Sequence, residues 1–245
     1  MKLIIITGAT GGIGQAISFV LARDGHDLLL VGRNKMKLTE LKRELKKTFS
    51  SHSFFTACVD LRLSEEIHTL FKRKDIPFVS LYGLVNNAGV AIGGDIFTLS
   101  ENDWNTDISV NLKAPFLFCQ HTVQIMREHN NKGSIVNISS IAGVVGAKKP
   151  NYSSSKSGII GLTKSIAQNV GSLGIRVNSI APGAVDTEFI ADWDEMKRKK
   201  IAEKTLVGRI AEPREIAEIV GFLMSEKASF VTGTVINASG GQYLG

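Results

Sequence analysis

The chain has 245 residues, of which 43% are hydrophobic and 21% are charged, so it holds enough apolar material for the core of one globular domain and is not expected to be disordered. Its formal net charge of +6 is modest, and no basic patch with interleaved aromatic residues indicates a nucleic-acid partner. No apolar run approaches the ~18 residues of a membrane helix, and Leu3–Ile6 is too short for a signal peptide, so we expect no membrane association.

Seven short apolar runs predict the strands of a sheet. Apolar residues occupy both odd and even positions of these runs, which is typical of strands buried on both faces of a parallel sheet. Helix-periodic stretches separate the runs, and such strand–helix–strand units have right-handed crossovers. We therefore expect an α/β fold over residues 1–245: a single-domain, Rossmann-type three-layer sandwich with a doubly wound parallel sheet of seven strands. The predicted strands are Leu3–Ile6, Leu28–Val31, Phe54–Val59, Leu81–Val85, Ser134–Ile138, Ile175–Ile180 and Thr234–Asn237.

A glycine-rich turn, T-G-A-T-G-G-I-G at Thr7–Gly14, follows the first predicted strand and opens the first helix. Glycines let the backbone approach a pyrophosphate without Cβ clashes, and a helix N-terminus offers free N–H groups at a positive dipole end. The spacing is G-x-x-x-G-x-G rather than G-x-G-x-x-G, and a tight turn without a ligand is the alternative. The position after the first strand favours a dinucleotide cofactor. The residues expected to hold it here are Gly8, Thr10, Gly11, Gly12, Ile13 and Gly14.

The end of the second strand bears on which nicotinamide cofactor binds. An acidic residue there accepts a hydrogen bond from the ribose 2′-hydroxyl of NAD, whereas a basic residue pairs with the 2′-phosphate of NADP. This chain has Arg33 and Asn34 at that place and no carboxylate. A guanidinium can bind a phosphate in a bidentate manner. We therefore expect NADP(H) rather than NAD(H), and the alternative is an exposed arginine at a helix start.

Four more motifs follow in the chain. They are N-N-A-G at Asn86–Gly89, Asn111 within a helical stretch, N-I-S-S-I-A-G at Asn137–Gly143 and Y-S-S-S-K at Tyr152–Lys156. With the glycine turn, they resemble the short-chain dehydrogenase/reductase family in order and near spacing, over essentially the whole chain. The resemblance implies a nicotinamide-dependent enzyme that reduces a carbonyl to a secondary alcohol. It implies as catalytic residues Asn111, Ser140, Tyr152 and Lys156.

Tyr152 is the expected proton donor. With a reference pKa of about 10, a tyrosine is a poor acid–base group at neutral pH unless its phenolate is stabilised. Lys156 follows four residues later, one helical turn away on the same face, so its ammonium is expected to lower the pKa of Tyr152. An ordinary helix-surface pair is the alternative for an isolated Y-x-x-x-K. The resemblance implies that Lys156 also holds the nicotinamide ribose.

Two adjacent serines compete for the role of polarising the carbonyl. Alignment on Gly143 selects Ser140, whereas counting thirteen residues back from Tyr152 selects Ser139. Neighbouring side chains on a strand point to opposite faces, so only one can serve. We choose Ser140, which implies a loop at residues 144–151 that is one residue shorter than usual in the family.

Asn111 precedes Pro115 by four residues, and a proline there removes a backbone donor and favours a kink. In the family this asparagine supports a water-mediated proton relay through the lysine. The resemblance also extends the cofactor site: Asp60 at the adenine edge, Asn87 beside the adenosine ribose, and the segment after the sixth strand over the nicotinamide. The further cofactor residues expected on this basis are Asp60, Leu61, Asn87, Ala88, Gly89, Tyr152, Lys156, Pro182, Gly183, Val185 and Thr187.

The chain is most similar to the 3-oxoacyl-acyl-carrier-protein reductase branch of the family, through N-L-K-A-P-F, I-R-V-N-S-I-A-P-G and V-T-G-T. That similarity implies a 3-oxoacyl thioester substrate, fatty acid biosynthesis and an acyl-carrier-protein partner. Lys132 matches one of the branch's two basic docking positions, but Leu173 occupies the other, which puts carrier docking in doubt. Alternatives are another small alcohol, sugar or ketone as substrate, in either direction of reaction, and a catalytically silent NADP-binding scaffold.

The family also implies a homotetramer, formed through the helices around residues 111–127 and 152–170. The two cysteines, Cys58 and Cys119, have neither disulfide-framework nor zinc spacing, so we expect reduced thiols, a cytoplasmic protein and no metal site. The segment 188–207 lies where ligands bind in open α/β sheets. It has apolar residues first and a basic run at 197–200, which predicts a mobile helical lid over the substrate. A solvated helix face is the alternative.

Overall fold

The computed structural model describes residues 2–244, and its centre is one sheet of seven parallel strands in the order β3-β2-β1-β4-β5-β6-β7. The predicted fold is confirmed, and each predicted strand coincides with an observed one to within two residues at either end. Four strands consist wholly of buried residues, as the unbroken apolar runs require. The strands are β1 Leu3–Thr7, β2 Asp27–Gly32, β3 Phe54–Cys58, β4 Leu81–Asn86, β5 Gly133–Ile138, β6 Ile175–Pro182 and β7 Val235–Ala238.

Helices cover both faces of the sheet. Ile4 and Ile6 of β1 pack with α1, α2 and α9 in one apolar core, whereas Leu3 and Ile5 point the other way and pack with α3, α5 and α7 in a second. The alternation of side chains along a strand therefore divides a single apolar run between two cores. The helices are α1 Gly12–Arg23, α2 Lys35–Thr48, α3 Ser64–Leu70, α4 Glu101–Ile108, α5 Ala114–Glu128, α6 Ala142–Val145, α7 Pro150–Val170, α8 Glu195–Ala202 and α9 Pro213–Met224.

The chain reverses its direction of strand addition between β1 and β4, and the crevice of such a sheet lies beyond the carboxyl ends of these two strands. Asn87, just after β4, closes the inner side of this crevice. Its Nδ2 donates to the carbonyl oxygens of Thr7 at 3.2 Å and Gly8 at 3.1 Å, and its backbone N–H donates to Thr7 Oγ1 at 3.1 Å. The ends of the two central strands are thus fixed to each other.

Two local features differ from a regular α/β unit. Residues 109–113 form a π-helical turn between α4 and α5, where Pro115 has no N–H to donate to the carbonyl of Asn111. The expected loop at 144–151 is shorter than predicted, because α6 extends to Val145 and α7 begins at Pro150, a favoured first helical residue. Within residues 2–244, the helices fall short of the length and apolar character needed to cross a membrane.

Candidate active site

A cleft of about 770 Å³ lies beyond the carboxyl ends of the strands. All the residues expected to hold the cofactor line it, from the glycine turn at one end to Thr187 at the other. Of the four expected catalytic residues, three line it as well: Ser140, Tyr152 and Lys156. Asn111 does not reach the cleft surface and lies behind it, with 1% of its surface exposed. The expected cofactor residues and three of the expected catalytic residues therefore share one cleft, and Asn111 lies behind its surface.

The glycines of the turn are required by the packing around them. Gly8 has a φ of +63°, and a Cβ on it would lie 2.7 Å from the Cα of Ala88. A Cβ on Gly14 would overlap the carbonyl oxygen of Gly8. The turn therefore lies directly against the N-N-A-G segment, and α1 begins at Gly12 with its N-terminus at the cleft.

The outer end of the cleft, beyond β2 and β3, carries a concentration of positive charge. Arg33 and Lys37 are both exposed and both line it. Asn34 caps α2 by accepting the Lys37 N–H at 3.0 Å, which sets where that helix begins. Hydrogen bonds from Arg62 hold the pKa of the Asp60 carboxyl below its usual range, so that Asp60 stays ionised. Lys37 was missed in the sequence analysis, although its place one helical turn after Arg33 could have indicated it.

The structure distinguishes the two adjacent serines. Ser139 is buried, and its hydroxyl donates to the Lys156 carbonyl oxygen at 2.8 Å. Ser140 is less buried, accepts the Ala142 N–H at 3.1 Å, and faces the phenol of Tyr152, whose pKa it acts to lower. The hydroxyl of Ser140 is therefore the one that faces the tyrosine, whereas the hydroxyl of Ser139 links the end of β5 to α7 by a hydrogen bond.

The Lys156 amine is buried at the wall of the cleft and is hydrogen-bonded to the last residue of β5. Its Nζ donates to the Ile138 carbonyl oxygen at 2.8 Å and lies 5.9 Å from the centre of the Tyr152 ring. Burial lowers the pKa of Lys156 to about 8, although the charge of Asp107 acts in the opposite direction. A Cβ on Gly89 would lie 3.2 Å from this Nζ, so glycine leaves the amine room at the cleft wall.

Burial outweighs the expected effect of Lys156 on the pKa of Tyr152. The pKa of Tyr152 is raised, because burial disfavours the phenolate more strongly than Ser140 stabilises it, and Asp107 adds a negative charge nearby. The distance of the ammonium from the ring limits its electrostatic contribution. Tyr152 therefore holds its proton at neutral pH, which suits a group that must donate one.

Asn111 connects the chain after β4 to the helix that carries Tyr152. Its Nδ2 donates to the Val90 carbonyl oxygen at 2.8 Å and to Ser155 Oγ at 3.0 Å, and its Oδ1 accepts the Val90 N–H at 2.9 Å. The Ser155 hydroxyl in turn donates to the Tyr152 carbonyl oxygen at 2.8 Å. The π-helical turn thus directs Asn111 towards α7, where its amide fixes the spacing between two walls of the cleft.

The segment after β6 covers the inner end of the cleft. Several of its apolar side chains line the cleft, and the ring of Phe189 lies 6.0 Å from that of Tyr152. The expected helix is present as α8, and Lys197 lies over the Trp193 ring at 4.4 Å. Arg198 is the one member of the basic run that turns inward, donating to Asp186 at 2.7 Å. Cleft residues that the sequence analysis had not assigned to the cofactor include Val90, Ile138, Ile141, Ala147, Glu188, Phe189, Ile190, Trp193, Ile201 and Gln242.

Replacing Lys156 with methionine is expected to stabilise the protein below pH 8. The folded state lowers the pKa of this lysine from its ordinary value of 10.5 to about 8, which disfavours the charged form by up to about 3 kcal/mol. Loss of the hydrogen bond to Ile138 offsets about 1 kcal/mol of the gain. The penalty is complete below pH 8 and disappears as the pH rises to 10.5. Urea unfolding of both proteins at pH 7 and pH 10 measures this, and an equal difference at the two pH values would contradict it.

The site fits a dinucleotide on observations of its own. The N-terminus of α1 already binds an anionic oxygen, because the Gly12 N–H donates to the Glu188 carboxylate at 3.2 Å. The cleft continues from there past Tyr152, and glycines leave its floor free of side chains. Among residues 2–244, no group of three or more potential metal-binding side chains is found. The hydroxyls of Tyr152 and Ser140 and the buried amine of Lys156 lie at the inner end of this elongated cleft.

Comparison with known proteins finds full-length matches. A family model described as enoyl-(acyl carrier protein) reductase matches residues 8–242. The 3-oxoacyl-(acyl-carrier-protein) reductase of Thermotoga maritima is 34% identical over 241 residues, which cover 98% of this chain and 97% of that protein. The (3R)-3-hydroxyacyl-CoA dehydrogenase of Mus musculus is 35% identical over 255 residues, which cover 99% of this chain and 96% of that protein.

A solved structure shares the architecture throughout. The structure of 4-hydroxyisoleucine dehydrogenase complexed with NADH has a TM-score of 0.91, covers all of both chains and is 30% identical in sequence. The fold and its cleft are therefore those of enzymes that act with a nicotinamide dinucleotide.

Proposed function

This chain belongs to the short-chain dehydrogenase/reductase family, and we propose that it is an NADP-dependent enzyme that reduces the 3-oxo group of an acyl thioester to a secondary alcohol. As a member of the family it is an oxidoreductase that uses a nicotinamide cofactor. The observation that carries the proposal is the convergence of Ser140, Tyr152 and Lys156 on the inner end of the cleft that begins at the glycine turn. The experiment that tests it is a screen of carbonyl substrates, including acetoacetyl-CoA, in which NADPH absorbance is followed.

Reduction of a carbonyl requires a hydride at carbon and a proton at oxygen. A nicotinamide cofactor held along the cleft by the glycine turn and Lys156 would supply the hydride. Tyr152 donates its phenolic proton to the carbonyl oxygen as the C=O double bond becomes a C–O single bond. Ser140 donates a hydrogen bond to the same oxygen and stabilises the charge that develops there.

Lys156 and Asn111 support Tyr152, the proton donor. The buried Nζ of Lys156 lies on the tyrosine's side of the cleft, where its charge stabilises a phenolate once the proton has left. Asn111 positions α7 through Ser155, and the Asn111 carbonyl, which has no N–H from Pro115, provides an acceptor for a water that returns the proton. In this proposal Asn111 acts through other groups and does not touch the substrate.

Changing Arg33 to alanine is expected to weaken NADPH binding and leave NADH binding nearly unchanged. The side chain lines the outer end of the cleft, where a 2′-phosphate would lie if the dinucleotide runs outward from the glycine turn. Loss of a charge-assisted bidentate contact costs about 1.5–3 kcal/mol, or roughly 10- to 150-fold in Kd. Titration of both cofactors by fluorescence measures this. The matched control is Arg43→Ala, which removes the same side chain from an exposed position of α2 outside the cleft. Tighter binding of NADH than of NADPH by the unaltered protein would contradict the cofactor preference.

The substrate assignment rests on the relatives and on the charge of the segment after β6. Two of the relatives act, by their names, on acyl groups carried by acyl carrier protein or coenzyme A. Lys197, Lys199 and Lys200 are exposed on α8, between Trp193 and Ile201, which both line the cleft. An apolar cover with basic residues beside it suits a substrate with an uncharged acyl end and an anionic phosphopantetheine tail.

Neutralising Lys197, Lys199 and Lys200 together by glutamine is expected to raise the KM for acetoacetyl-CoA several-fold and to change kcat little. The effect comes from long-range attraction between exposed charges, so it is larger at low salt. Glutamine at Lys42, Lys47 and Lys72, which lie outside the cleft, changes the net charge equally and is the control. A small neutral ketone is expected to respond to neither variant. Equal effects on both substrates would contradict the thioester proposal.

A carrier-protein partner is proposed as the source of the acyl group. Lys132 and Leu173 lie on adjacent turns, because the Gly133 N–H donates to the Gly174 carbonyl oxygen at 3.3 Å and the Lys132 stem packs against Gly174. One position of this docking surface is therefore basic and the other is a partly exposed leucine. Comparing KM for acetoacetyl-CoA with KM for the acyl-carrier-protein thioester measures what the surface contributes.

We propose a homotetramer in the cytoplasm. On α7, Ile160, Leu162 and Ile166 are only partly buried although they are apolar, and Phe116 on the neighbouring α5 is 42% exposed. Helix faces that are apolar but only partly buried are typical of subunit interfaces. Cys58 and Cys119 are free thiols, which suits a reducing compartment. Light scattering at micromolar concentration tests the assembly, and a monomeric mass would contradict it.

A further inference from the structure

The N-terminus of α1 contacts a carboxylate from a distant part of the chain. Glu188, 176 residues away, accepts the Gly12 N–H through Oε2 at 3.2 Å. The preceding residue, Thr187, packs on the same glycine, where a Cβ would lie 2.7 Å from the Thr187 methyl carbon. The first residue of α1 is thus covered by two consecutive residues of the segment after β6.

This contact uses a group that the cofactor also needs. Helix N-termini attract anions because their first N–H groups have no helical acceptor and lie at the positive end of the dipole. A carboxylate oxygen and a pyrophosphate oxygen cannot both take the same N–H, and as like charges they repel each other at that distance. Glu188 must therefore leave Gly12 before a pyrophosphate can occupy that N–H.

The segment that carries Glu188 lies between the N-terminus of α1 and the proton donor Tyr152. Phe189, the next residue, has its ring 6.0 Å from that of Tyr152. Ile190 is 3% exposed, and its carbonyl oxygen accepts from the Arg198 guanidinium at 3.1 Å, which anchors the far side of the segment. Glu188 and Phe189 are adjacent, so the carboxylate at α1 and the aromatic ring beside the proton donor belong to the same short segment.

We propose that Glu188 is an internal competitor for the cofactor pyrophosphate: its carboxylate must leave Gly12 when a dinucleotide binds, and this requirement weakens dinucleotide binding. The inference rests on the proposed placement of the cofactor along the glycine turn. Since NADPH, NADH and ADP all carry a diphosphate, the effect is the same for each of them. That distinguishes Glu188 from Arg33, which acts on the 2′-phosphate alone.

Glu188→Gln and Glu188→Ala test the proposal by direct binding. Both variants are expected to bind NADPH, NADH and ADP about two- to tenfold more tightly than the unaltered protein, since an exposed charge at a helix N-terminus contributes energies of that order. Titration calorimetry measures the dissociation constants without any turnover. Glu195→Gln, an exposed acid in the first turn of α8 and outside the cleft, is the matched control and is expected to change none of them.

The outcomes separate this inference from the function on which it rests. If the unaltered protein binds the three ligands but the Glu188 variants bind them equally or more weakly, the competitor role is overturned and the proposed function stands. An equal gain in Glu195→Gln would also overturn it, because the effect would then be one of net charge. If the unaltered protein binds none of the three, the proposed function and this inference both fail.

Discussion

Tyr152→Phe is expected to lose turnover by about 10²- to 10⁴-fold while it folds and binds cofactor as the unaltered protein does. The substitution removes the phenolic proton and keeps the ring, so the packing against Phe189 is preserved. Burial raises the pKa of Tyr152, so the unaltered residue carries its proton at neutral pH. The measurements are kcat with a carbonyl substrate, the Kd for NADPH and the midpoint of thermal unfolding.

Tyr82→Phe is the matched control for that result. Its hydroxyl donates to the Met224 carbonyl oxygen at 2.9 Å, outside the cleft, so its loss is expected to cost about 1 kcal/mol of stability and nothing in kcat. If Tyr152→Phe kept more than a tenth of the rate of the unaltered protein, another group would be the proton donor. Equal losses of kcat in the two variants would point to a general effect on folding.

Ser140→Ala is expected to lower kcat by about 10²- to 10³-fold, which is the usual effect of removing one donor to a developing oxyanion. Ser139→Ala is expected to leave kcat within a few-fold and to cost about 1 kcal/mol of stability, because its hydroxyl donates only to the Lys156 carbonyl oxygen. Kinetics and urea unfolding of both variants measure the two effects separately.

Each serine variant serves as the control for the other, since the two positions are adjacent and the chemical change is identical. The reverse ranking of kcat would show that the catalytic hydroxyl is that of Ser139. It would also require the Ser139 hydroxyl to give up its buried hydrogen bond to the Lys156 carbonyl oxygen.

The outline of the protein followed from local patterns in the sequence. The seven apolar runs predicted the strands, because a strand covered by helices on both faces has apolar residues throughout. The glycine turn and the segments after β4 and β6 predicted the cleft, because the carboxyl ends of parallel strands meet at one edge of the sheet. Every residue assigned to the cofactor lies there, from Gly8 to Thr187.

The sequence analysis went wrong or stopped short where the direction of a side chain mattered. The spacing of Tyr152 and Lys156 correctly placed both on one helix, but it did not show that the amine turns to the Ile138 carbonyl and that burial dominates the tyrosine pKa. Counting residues left the choice between Ser139 and Ser140 open. The contact of Glu188 with Gly12 joins residues 176 positions apart, and no pattern within either segment indicates it.

The sequence by itself thus determined the order of the strands along the chain, the family and those cleft residues that lie in its motifs, since these depend on hydrophobic periodicity and on motifs that are contiguous in the chain. Tertiary structure decided which hydroxyl faces the tyrosine, which lysines at 197–200 stay free while Arg198 pairs with Asp186, and which carboxylate meets α1. Burial and hydrogen bonding between distant segments set these orientations and pKa values, and both depend on three-dimensional distances that one-dimensional spacing does not contain.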